Sequence, residues 1–280
     1  MNITLVLPSR NRPAGLLGVI TALDALATGN NKITYAVVLD DDDYVTLEQW
    51  DHWNKSGMLP EGVREFIGER NKTVNARVND AVRACPGDLY SQIVDDCFPL
   101  TQHWDSIFAA ARELPAFCWQ ERNDPDNATF LIISEKWRQM TGRFYPEYFP
   151  FWFADTWLAE VYKLAFGAPI AVIQQLCMGG KRGITQGMRD VAFWFKFFAY
   201  TRSERIAEAQ MLAAAYGRPA NVRMSRAQDI ALMEKADAWQ LTQVARYEAM
   251  FKANLGEPTA IYKRCKEVAE EAMRPRLVAA

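Results

Sequence analysis

The chain has 280 residues, a net charge of −2 at pH 7, and 50% hydrophobic and 24% charged side chains, as in an ordinary globular protein. Its five cysteines are odd in number and include no Cys-x-x-Cys pair, which argues against a disulfide or zinc framework. The longest apolar stretch, residues 148–176, is interrupted by charged side chains, and the first residues carry no basic leader. We therefore expect a cytoplasmic protein with no transmembrane segment.

The charge is distributed unevenly along the chain. Residues 1–180 hold 15 basic and 23 acidic side chains, whereas residues 181–280 hold 17 basic and 11 acidic ones. The positive excess lies in residues 181–226, which carry 9 basic and 3 acidic side chains. An acidic first part and a basic middle part indicate different binding partners.

The first half of the sequence alternates between strand and helix patterns. Apolar runs predict strands over residues 3–7, 33–39 and 88–94, and helical spacing of apolar residues predicts helices over 14–27 and 72–84. Between the second strand and the second helix we predict a loop and a short helix. Strands that are separated by helices predict a parallel α/β sheet.

Residues 116–120 and 129–133 supply two further predicted strands, the second of which is followed by a helix. The pattern becomes helical from Phe151, and no strand is predicted in the last third of the chain. The sequence thus predicts an α/β domain over residues 1–180 and a helical region over residues 181–280.

The third predicted strand ends in two adjacent carboxylates, Asp95 and Asp96. Two like charges at the end of a buried strand need water, a cation or a basic partner to offset their repulsion. A hard divalent cation such as Mg²⁺ or Mn²⁺ prefers such oxygen ligands. The alternative interpretation is that the pair begins a solvated loop and caps the following helix.

The three strand ends are expected to meet in space, because open α/β sheets bind ligands at the carboxyl ends of their strands. They read LPSRNRP, VVLDDDD and IVDDCFPLTQHWD in chain order. This order and spacing resemble the GT-A glycosyltransferases, particularly the large inverting family with one compact nucleotide-sugar-binding domain, over about residues 1–165. The resemblance implies a mixed, mainly parallel sheet flanked by helices, with residues 1–180 as the catalytic domain and a C-terminal helical appendage.

The resemblance also implies which residues bind the donor. Pro8, Ser9 and Arg10 match the loop that cradles the nucleoside. Asp40 or Asp41 matches the acid that reads the base, and a carboxylate that accepts a hydrogen bond from uracil favours a UDP-sugar. The other two acids of this tetrad are interpreted as a solvated turn.

Asp95 and Asp96 match the family's Asp-x-Asp signature in a contracted form. The resemblance implies that Asp96, with Asp95 beside it, holds the Mn²⁺ or Mg²⁺ ion that bridges the diphosphate, and that Asp95 contacts the ribose or sugar. Thr101 and Trp104 follow as in relatives, and their structural interpretation is helix N-capping by Thr101 and packing by Trp104.

The segment YFPFWFADTWLAEV resembles the acceptor side of the family, where an acid acts as the general base. Asp155 is the candidate, because a carboxylate near the acceptor hydroxyl takes its proton as the oxygen attacks the anomeric carbon. The alternative is that Asp155 caps a helix that begins near Thr156. Trp152 and Trp157 either line the acceptor site or pack in the core.

The chain departs from the family in one respect. Many relatives supply a further metal ligand, often a histidine, after the acceptor region, but this chain has only His52 and His103, and the third ligand stays open. Lys181 and Arg182 lie in a glycine-flanked loop and either close over the diphosphate or remain solvated.

The basic segment 181–226 contains the aromatic run FWFKFFAY. Basic and aromatic side chains together are typical of nucleic-acid grooves, so a candidate acceptor is a hydroxymethylated pyrimidine in DNA. An acidic glycan or a lipid-linked acceptor fits the same charge pattern. The alternative for the rings of Phe193, Trp194, Phe197 and Phe198 is the buried face of a helix.

Two other classes of protein remain open. A nucleotidyltransferase shares the core and the acids, but SRNRP stands where a glycine-rich, lysine-containing phosphate loop is expected. A non-catalytic DNA-binding protein needs the basic segment but not the acids at the strand ends.

Overall fold

The computed structural model describes residues 1–121, 130–150, 153–179, 190–221 and 260–274, with six single positions between residues 231 and 242. The chain divides into two compact units. The first consists of Met1–Tyr145 and Pro169–Gly183, and the second of Pro146–Ala168 and Ile184–Ala280. The predicted domain boundary at residue 180 stays a prediction, because this division does not test whether either part folds alone.

The first unit contains one mixed sheet. Its described strands are β1 (Asn2–Ser9), β2 (Lys32–Asp40), β3 (Val63–Gly68), β4 (Leu89–Gln92), β5 (Phe98–Pro99), β6 (Ala116–Glu121), β7 (Phe130–Ser134) and β8 (Ala171–Gly179). They lie side by side in the order β3-β2-β1-β4-β7-β6-β8-β5. The pairs β1-β2, β1-β4, β2-β3 and β6-β8 are parallel, and β7 and β5 run antiparallel to their neighbours. The predicted mixed, mainly parallel α/β sheet is confirmed.

The register of the three central strands determines where the site lies. Ser9 of β1 pairs with Leu39 of β2, and Val6 of β1 pairs with Gln92 of β4. Because these strands are parallel, the residues that follow each of them emerge at the same edge of the sheet.

Five described helices belong to the first unit. They are α1 (Pro13–Ala25), α2 (Tyr44–Ser56), α3 (Val74–Ala84), α4 (Trp104–Ala110) and α5 (Glu135–Thr141). Pro13 occupies the first turn of α1, where a missing backbone N–H costs nothing, and the Thr73 side chain caps α3 by accepting from the backbone N–H of Ala76. The predicted helices over 14–27 and 72–84 therefore correspond to α1 and α3.

The core of this unit lies between the sheet and its helices. Side chains of β1 and one face of α1 are completely buried: Ile3, Leu5, Leu7, Leu16, Val19, Ile20 and Leu23. Burying this apolar face against the sheet supplies most of the stability of such a helix. The core thereby holds the start of α1 at the edge where β1 ends.

Three strands were not predicted from the sequence: β3, β8 and the two-residue strand β5. β3 lies in the segment interpreted as loop and short helix, and β8 lies in a segment interpreted as helical. β3 is an edge strand with the sequence VREFIG, so its charged side chains interrupt the apolar pattern. β8 contains two adjacent glutamines, and it follows directly on a helical pattern.

The second unit is helical where it is described. It contains α6 (Ala154–Phe166), α7 (Val191–Tyr200), α8 (Arg202–Ala215) and α9 (Ala260–Met273). Arg205 of α8 is fully buried, with its Nε 2.7 Å from a carboxylate oxygen of Glu160 and its guanidinium 3.6 Å from the ring centroid of Phe198. None of the helices in the described part of the chain has both the length and the apolarity required to cross a membrane.

Candidate functional site

The loop from β1 to α1 connects two groups of acids at the sheet edge. It runs from Arg10 to Arg12, and Asn11 has a φ of 56°, which is the left-handed region that a non-glycine residue seldom adopts. The backbone N–H of Asn11 donates to a carboxylate oxygen of Asp43 at 2.8 Å. This bond anchors the loop and directs the side chains on either side of Asn11 to different acids.

The acid pair after β4 lies against this loop. The Ser9 hydroxyl donates to Oδ2 of Asp95 at 2.7 Å, and the backbone N–H of Ile93 donates to the carbonyl of Val6 at 2.9 Å. Asp95 is buried, with 6% of its surface exposed, and the Asp96 side chain is 20% exposed. The alternative of a solvated loop start is therefore wrong for Asp95.

Arg12 supplies the positive charge that this pair requires. Its Nη1 atom lies 3.0 Å from Oδ1 of Asp95 and 2.8 Å from Oδ2 of Asp96, so one nitrogen contacts both carboxylates. Burial raises the pKa of Asp95, and the hydrogen bonds from Ser9 and Arg12 offset that rise only in part. The side chain of Arg12 is 37% exposed and remains accessible from solvent.

An open cleft with a volume of about 570 Å³ lies over the acid pair. Its lining combines the start of α1 with the end of β4: Asn11, Arg12, Pro13, Ala14, Gly15, Asp95, Asp96 and Phe98. A Cβ at Gly15 would overlap the carbonyl oxygen of Asp95. The glycine therefore allows the first turn of α1 to approach the acids closely.

The acids after β2 form a second group. Arg10 donates to Oδ2 of Asp40 at 2.9 Å and also binds both carboxylate oxygens of Asp42. The hydrogen bond from Arg10 lowers the pKa of Asp42, which is solvent-exposed. The Asp41 side chain is exposed, while its backbone N–H donates to the carbonyl of Gly68.

Asp43 corrects the expectation that the end of this tetrad is a solvated turn. It is 1% exposed and caps α2 by accepting from the backbone N–H of Thr46, in addition to its bond with Asn11. Asp43 therefore has a structural role, and only Asp41 and Asp42 extend into solvent.

Arg77 of α3 holds the ends of β2 and β3 together near Asp40, a role that was not predicted from the sequence. Its guanidinium donates to the carbonyls of Leu39, Phe66 and Gly68 at 2.9 Å each, and it lies 3.7 Å from Asp40. A fork of five donors suits this bridging of strand ends, and a lysine cannot replace it. No sequence signal shows that this arginine, on a helix 37 residues after Asp40, lies at the ends of β2 and β3.

Asp155 lies in the first turn of α6, in the second unit. The helix begins at Ala154 with Phe153 in the N-cap position, so the expectation that Asp155 caps a helix starting near Thr156 is wrong. Its carboxylate accepts from the backbone N–H of Thr156 at 2.7 Å. The role of Asp155 as general base stays a prediction. Trp157 is fully buried and donates to Glu208, so it packs in the core.

The segment after the acid pair is structural. Trp104 is buried, and its indole N–H donates to the carbonyl of Leu23 at 2.8 Å. The N-cap of α4 is His103 in a left-handed conformation, so the expected N-capping by Thr101 is wrong. Asp105 is fully buried and accepts from the backbone N–H of Thr28.

Some predicted residues lie outside the part of the chain that the structure describes. These are Lys181, Arg182 and Trp152. Among the described residues, no cluster of three or more His, Cys, Asp or Glu side chains suits a metal ion, and a third protein ligand beside the acid pair is not found there.

The aromatic run of the basic segment is largely buried. Trp194, Phe195, Phe197 and Phe198 of α7 are at most 4% exposed, and Phe149 lies 5.6 Å from Phe197 between ring centroids. The interpretation of a buried helix face is therefore correct for Trp194, Phe197 and Phe198, whereas Phe193 is only half-buried. The four buried rings, Phe195 included, offer no surface for base stacking. Arg202, a basic side chain at the start of α8, forms an ion pair with Asp237.

Comparison with known proteins shows the fold. No family model and no curated protein matches the chain. The mannosyltransferase PcManGT of Pyrobaculum calidifontis, solved with GDP-Man and Mn²⁺, is 14% identical with a TM-score of 0.54, and the match covers 98% of this chain and 81% of that one. Residues 1–349 of S. aureus TarS, solved with UDP-GlcNAc, are 12% identical with a TM-score of 0.53, and the match covers 77% of this chain and 72% of that one. These neighbours are GT-A-type glycosyltransferases, and the chain therefore has the GT-A glycosyltransferase fold.

Proposed function

We propose that the chain is a metal-dependent glycosyltransferase that moves a sugar from a nucleoside-diphosphate donor to an acceptor hydroxyl. The observation that carries this proposal is that Arg12, Asp95 and Asp96 line one cleft at the carboxyl edge of a GT-A sheet, where Ser9 is hydrogen-bonded to Asp95. Such an edge is where open α/β sheets bind nucleotides. The neighbours solved with GDP-Man and UDP-GlcNAc support a nucleotide-sugar donor.

The acid pair fits a divalent cation. Asp95 and Asp96 direct one oxygen each at a single cationic nitrogen of Arg12, so their lone pairs already converge on one positive charge. Carboxylate oxygens are the ligands that Mn²⁺ and Mg²⁺ prefer. We propose Asp96 as the metal ligand with Asp95 beside it. When bound, the ion stabilises the negative charge of the departing diphosphate.

The protein's own residues position the donor and move one proton. Pro8 and Ser9 lie at the end of β1 and not in the loop after it, and with Arg10 they hold the nucleoside, while Asp95 contacts the ribose or sugar. On the acceptor side, the Asp155 carboxylate takes the hydroxyl proton as the acceptor oxygen bonds to the anomeric carbon and the bond to the diphosphate breaks. Because the oxygen enters opposite the leaving group, the configuration inverts.

We propose that an acid after β2 recognises the nucleobase of the donor. Asp41 is the first candidate for this acid and Asp40 is the second. The Asp40 carboxylate already accepts from Arg10 and lies near Arg77, whereas the Asp41 side chain is exposed. A carboxylate acceptor favours uracil, whose imide N–H donates. The neighbours include one with a guanosine and one with a uridine donor, so this preference depends on Asp41 and not on the fold.

For the acceptor we propose a hydroxymethylated pyrimidine in DNA, with an acidic glycan or lipid-linked acceptor as the second candidate. The support is the charge of residues 181–226, with 9 basic and 3 acidic side chains. Because four rings of α7 are buried, DNA would be held by basic side chains and not by stacking on those rings.

A transfer assay tests this function. A panel of labelled nucleotide sugars is incubated with Mn²⁺ and either hydroxymethylated duplex, ordinary duplex or an acidic glycan, using wild type, Asp96→Asn and, as a matched control, Asp80→Asn. Asp80 lies on α3 in an exposed pair with Lys72 and Arg83. We expect transfer or donor hydrolysis by wild type and Asp80→Asn and its loss in Asp96→Asn. Label on the glycan alone would overturn the DNA acceptor, and no turnover of any donor would overturn the function.

A further inference from the structure

Arg12 occupies the position in which a cation bridging the acid pair would lie. A single nitrogen, Nη1, contacts Asp95 at 3.0 Å and Asp96 at 2.8 Å. The arginine and a divalent ion would carry their positive charges in the same small volume. Binding of both there is disfavoured, because like charges a few ångströms apart repel strongly in a partly buried site.

The position of Arg12 is determined by the backbone and not only by its charge. Arg12 is the N-cap residue of α1, and Pro13 follows it with a restricted φ. Two residues further on, Gly15 lies directly against the backbone of Asp95. The backbone of Arg12 is therefore held beside the acids. Its side chain is 37% exposed, so the guanidinium can turn towards the cleft.

The acid pair provides few ligands for a metal by itself. Within the described chain, the two carboxylates are not joined by a third His, Cys, Asp or Glu side chain in a metal-binding cluster. A divalent ion prefers six or more oxygen ligands, so water and phosphate oxygens would complete its shell. A diphosphate would also offer Arg12 an anionic partner in place of the carboxylates.

We propose that Arg12 is an internal counter-ion that competes with the divalent metal for Asp95 and Asp96 and moves to the donor diphosphate when the metal binds. This inference rests on the proposed nucleotide-sugar function. It makes metal and nucleotide binding mutually dependent: the metal enters readily only when the diphosphate is present to accept Arg12. The coupling is reciprocal, so the metal also strengthens nucleotide binding by the same factor.

Titrations of Mn²⁺ followed by its electron paramagnetic resonance signal test this inference without any turnover. Wild type, Arg12→Gln and Arg12→Lys are compared with and without UDP or GDP, with Arg83→Gln as the control for loss of an exposed arginine paired with an aspartate. Removing the competing charge is expected to tighten Mn²⁺ binding to the nucleotide-free protein by about tenfold in Arg12→Gln. Arg12→Lys and Arg83→Gln should remain close to wild type.

The second expected result concerns coupling. In wild type the nucleotide should increase Mn²⁺ affinity by about tenfold or more, and in Arg12→Gln this increase should shrink to a few-fold. Thermal unfolding of each variant establishes that it is folded, and Arg12→Met provides a second uncharged variant should Arg12→Gln unfold.

Three outcomes separate the inference from the function on which it rests. Equal or weaker Mn²⁺ binding by nucleotide-free Arg12→Gln overturns the inference, and nucleotide binding by wild type would leave the proposed function standing. Unchanged coupling in Arg12→Gln likewise overturns it. If wild type binds neither nucleotide, the proposed function and the coupling to it fail together, although tighter Mn²⁺ binding by Arg12→Gln would still establish competition.

Discussion

The acids after β2 and the acids after β4 occupy the same sheet edge and are both neutralised by arginines of one loop, but they differ in burial. Arg10 binds Asp42, whose side chain is 47% exposed, whereas Arg12 binds Asp95, whose side chain is 7% exposed. An exposed ion pair is screened by water and contributes little, while a buried carboxylate depends on its partners. Composition alone therefore does not separate a surface ion pair from a candidate ligand site.

The largest expected effect is on transfer, through the acids of the two groups. Asp96→Asn should reduce sugar transfer by about 100-fold or more, because a metal ligand and its charge are lost. Asp42→Asn should reduce it by less than about threefold, because this exposed side chain is screened by solvent. Steady-state kinetics at saturating metal measure both, and comparable losses in the two variants would remove the distinction between the groups.

The next largest effect is expected on the free energy of unfolding, through the contact between α1 and the backbone of Asp95. In Gly15→Ala the new methyl group must push α1 away from the carbonyl of Asp95, which should lower the free energy of unfolding by about 1–3 kcal/mol. Gly68→Ala is the control, since its Cβ would meet Arg77 at an ordinary 3.6 Å. Urea denaturation compares the two. Equal stability of Gly15→Ala and wild type would show that α1 does not approach the acids as closely as described.

A smaller effect is expected at the ends of β2 and β3. Arg77→Lys loses the fork that joins the carbonyls of Leu39, Phe66 and Gly68 and should cost about 1–2 kcal/mol. Arg83→Lys, at an exposed position of the same helix, should change stability by less than about 0.5 kcal/mol. Denaturant titrations of both variants measure this difference, and an equal cost would argue against a bridging role of Arg77.

The smallest effect is a difference in titration between the two groups. Burial raises the pKa of Asp95, and the hydrogen bond from Arg10 lowers the pKa of Asp42, so in metal-free protein Asp95 should take up its proton at the higher pH. Ionised Asp42 stabilises the fold above the ordinary aspartate pKa of about 4, and this contribution is lost as pH falls through its lowered pKa. Asp95 has the opposite sign: its contribution is present below about pH 4 and is lost as pH rises through its raised pKa. Carboxyl carbon NMR measures both titrations, with Asp42→Asn for assignment. Protonation of Asp42 at a higher pH than Asp95 would contradict this order.

The sequence predicted the central strands and the strand-end acids because their signals are local. Apolar runs define β1, β2 and β4, acids follow the second and third of these strands, and parallel pairing then requires the three strand ends to meet. β3 was missed because an edge strand with charged residues lacks that apolar run. Arg12 stands in the SRNRP motif, but its contact with Asp95 spans 83 residues of chain and becomes visible only in three dimensions.

The acceptor side was less predictable for a different reason. Aromatic residues such as Trp157 and Trp194 give the same sequence pattern whether they line a site or fill a core. The structure places both in the core of the second unit. The capping role of Asp43 was likewise hidden, because it belongs to a run of four aspartates that have different surroundings. These cases differ in burial, which a single sequence does not reveal.

Binding of a nucleoside diphosphate is the measurement that tests the central claim most directly. Calorimetric titration of UDP and GDP in the presence of Mn²⁺ compares wild type with Asp96→Asn and with the surface control Asp80→Asn. We predict that wild type and Asp80→Asn bind at least one of the two nucleotides, UDP before GDP, and that Asp96→Asn binds it at least about tenfold more weakly. Equal affinity of wild type and Asp96→Asn, or no binding of either nucleotide by the wild type, would contradict a donor site at the ends of β1 and β4.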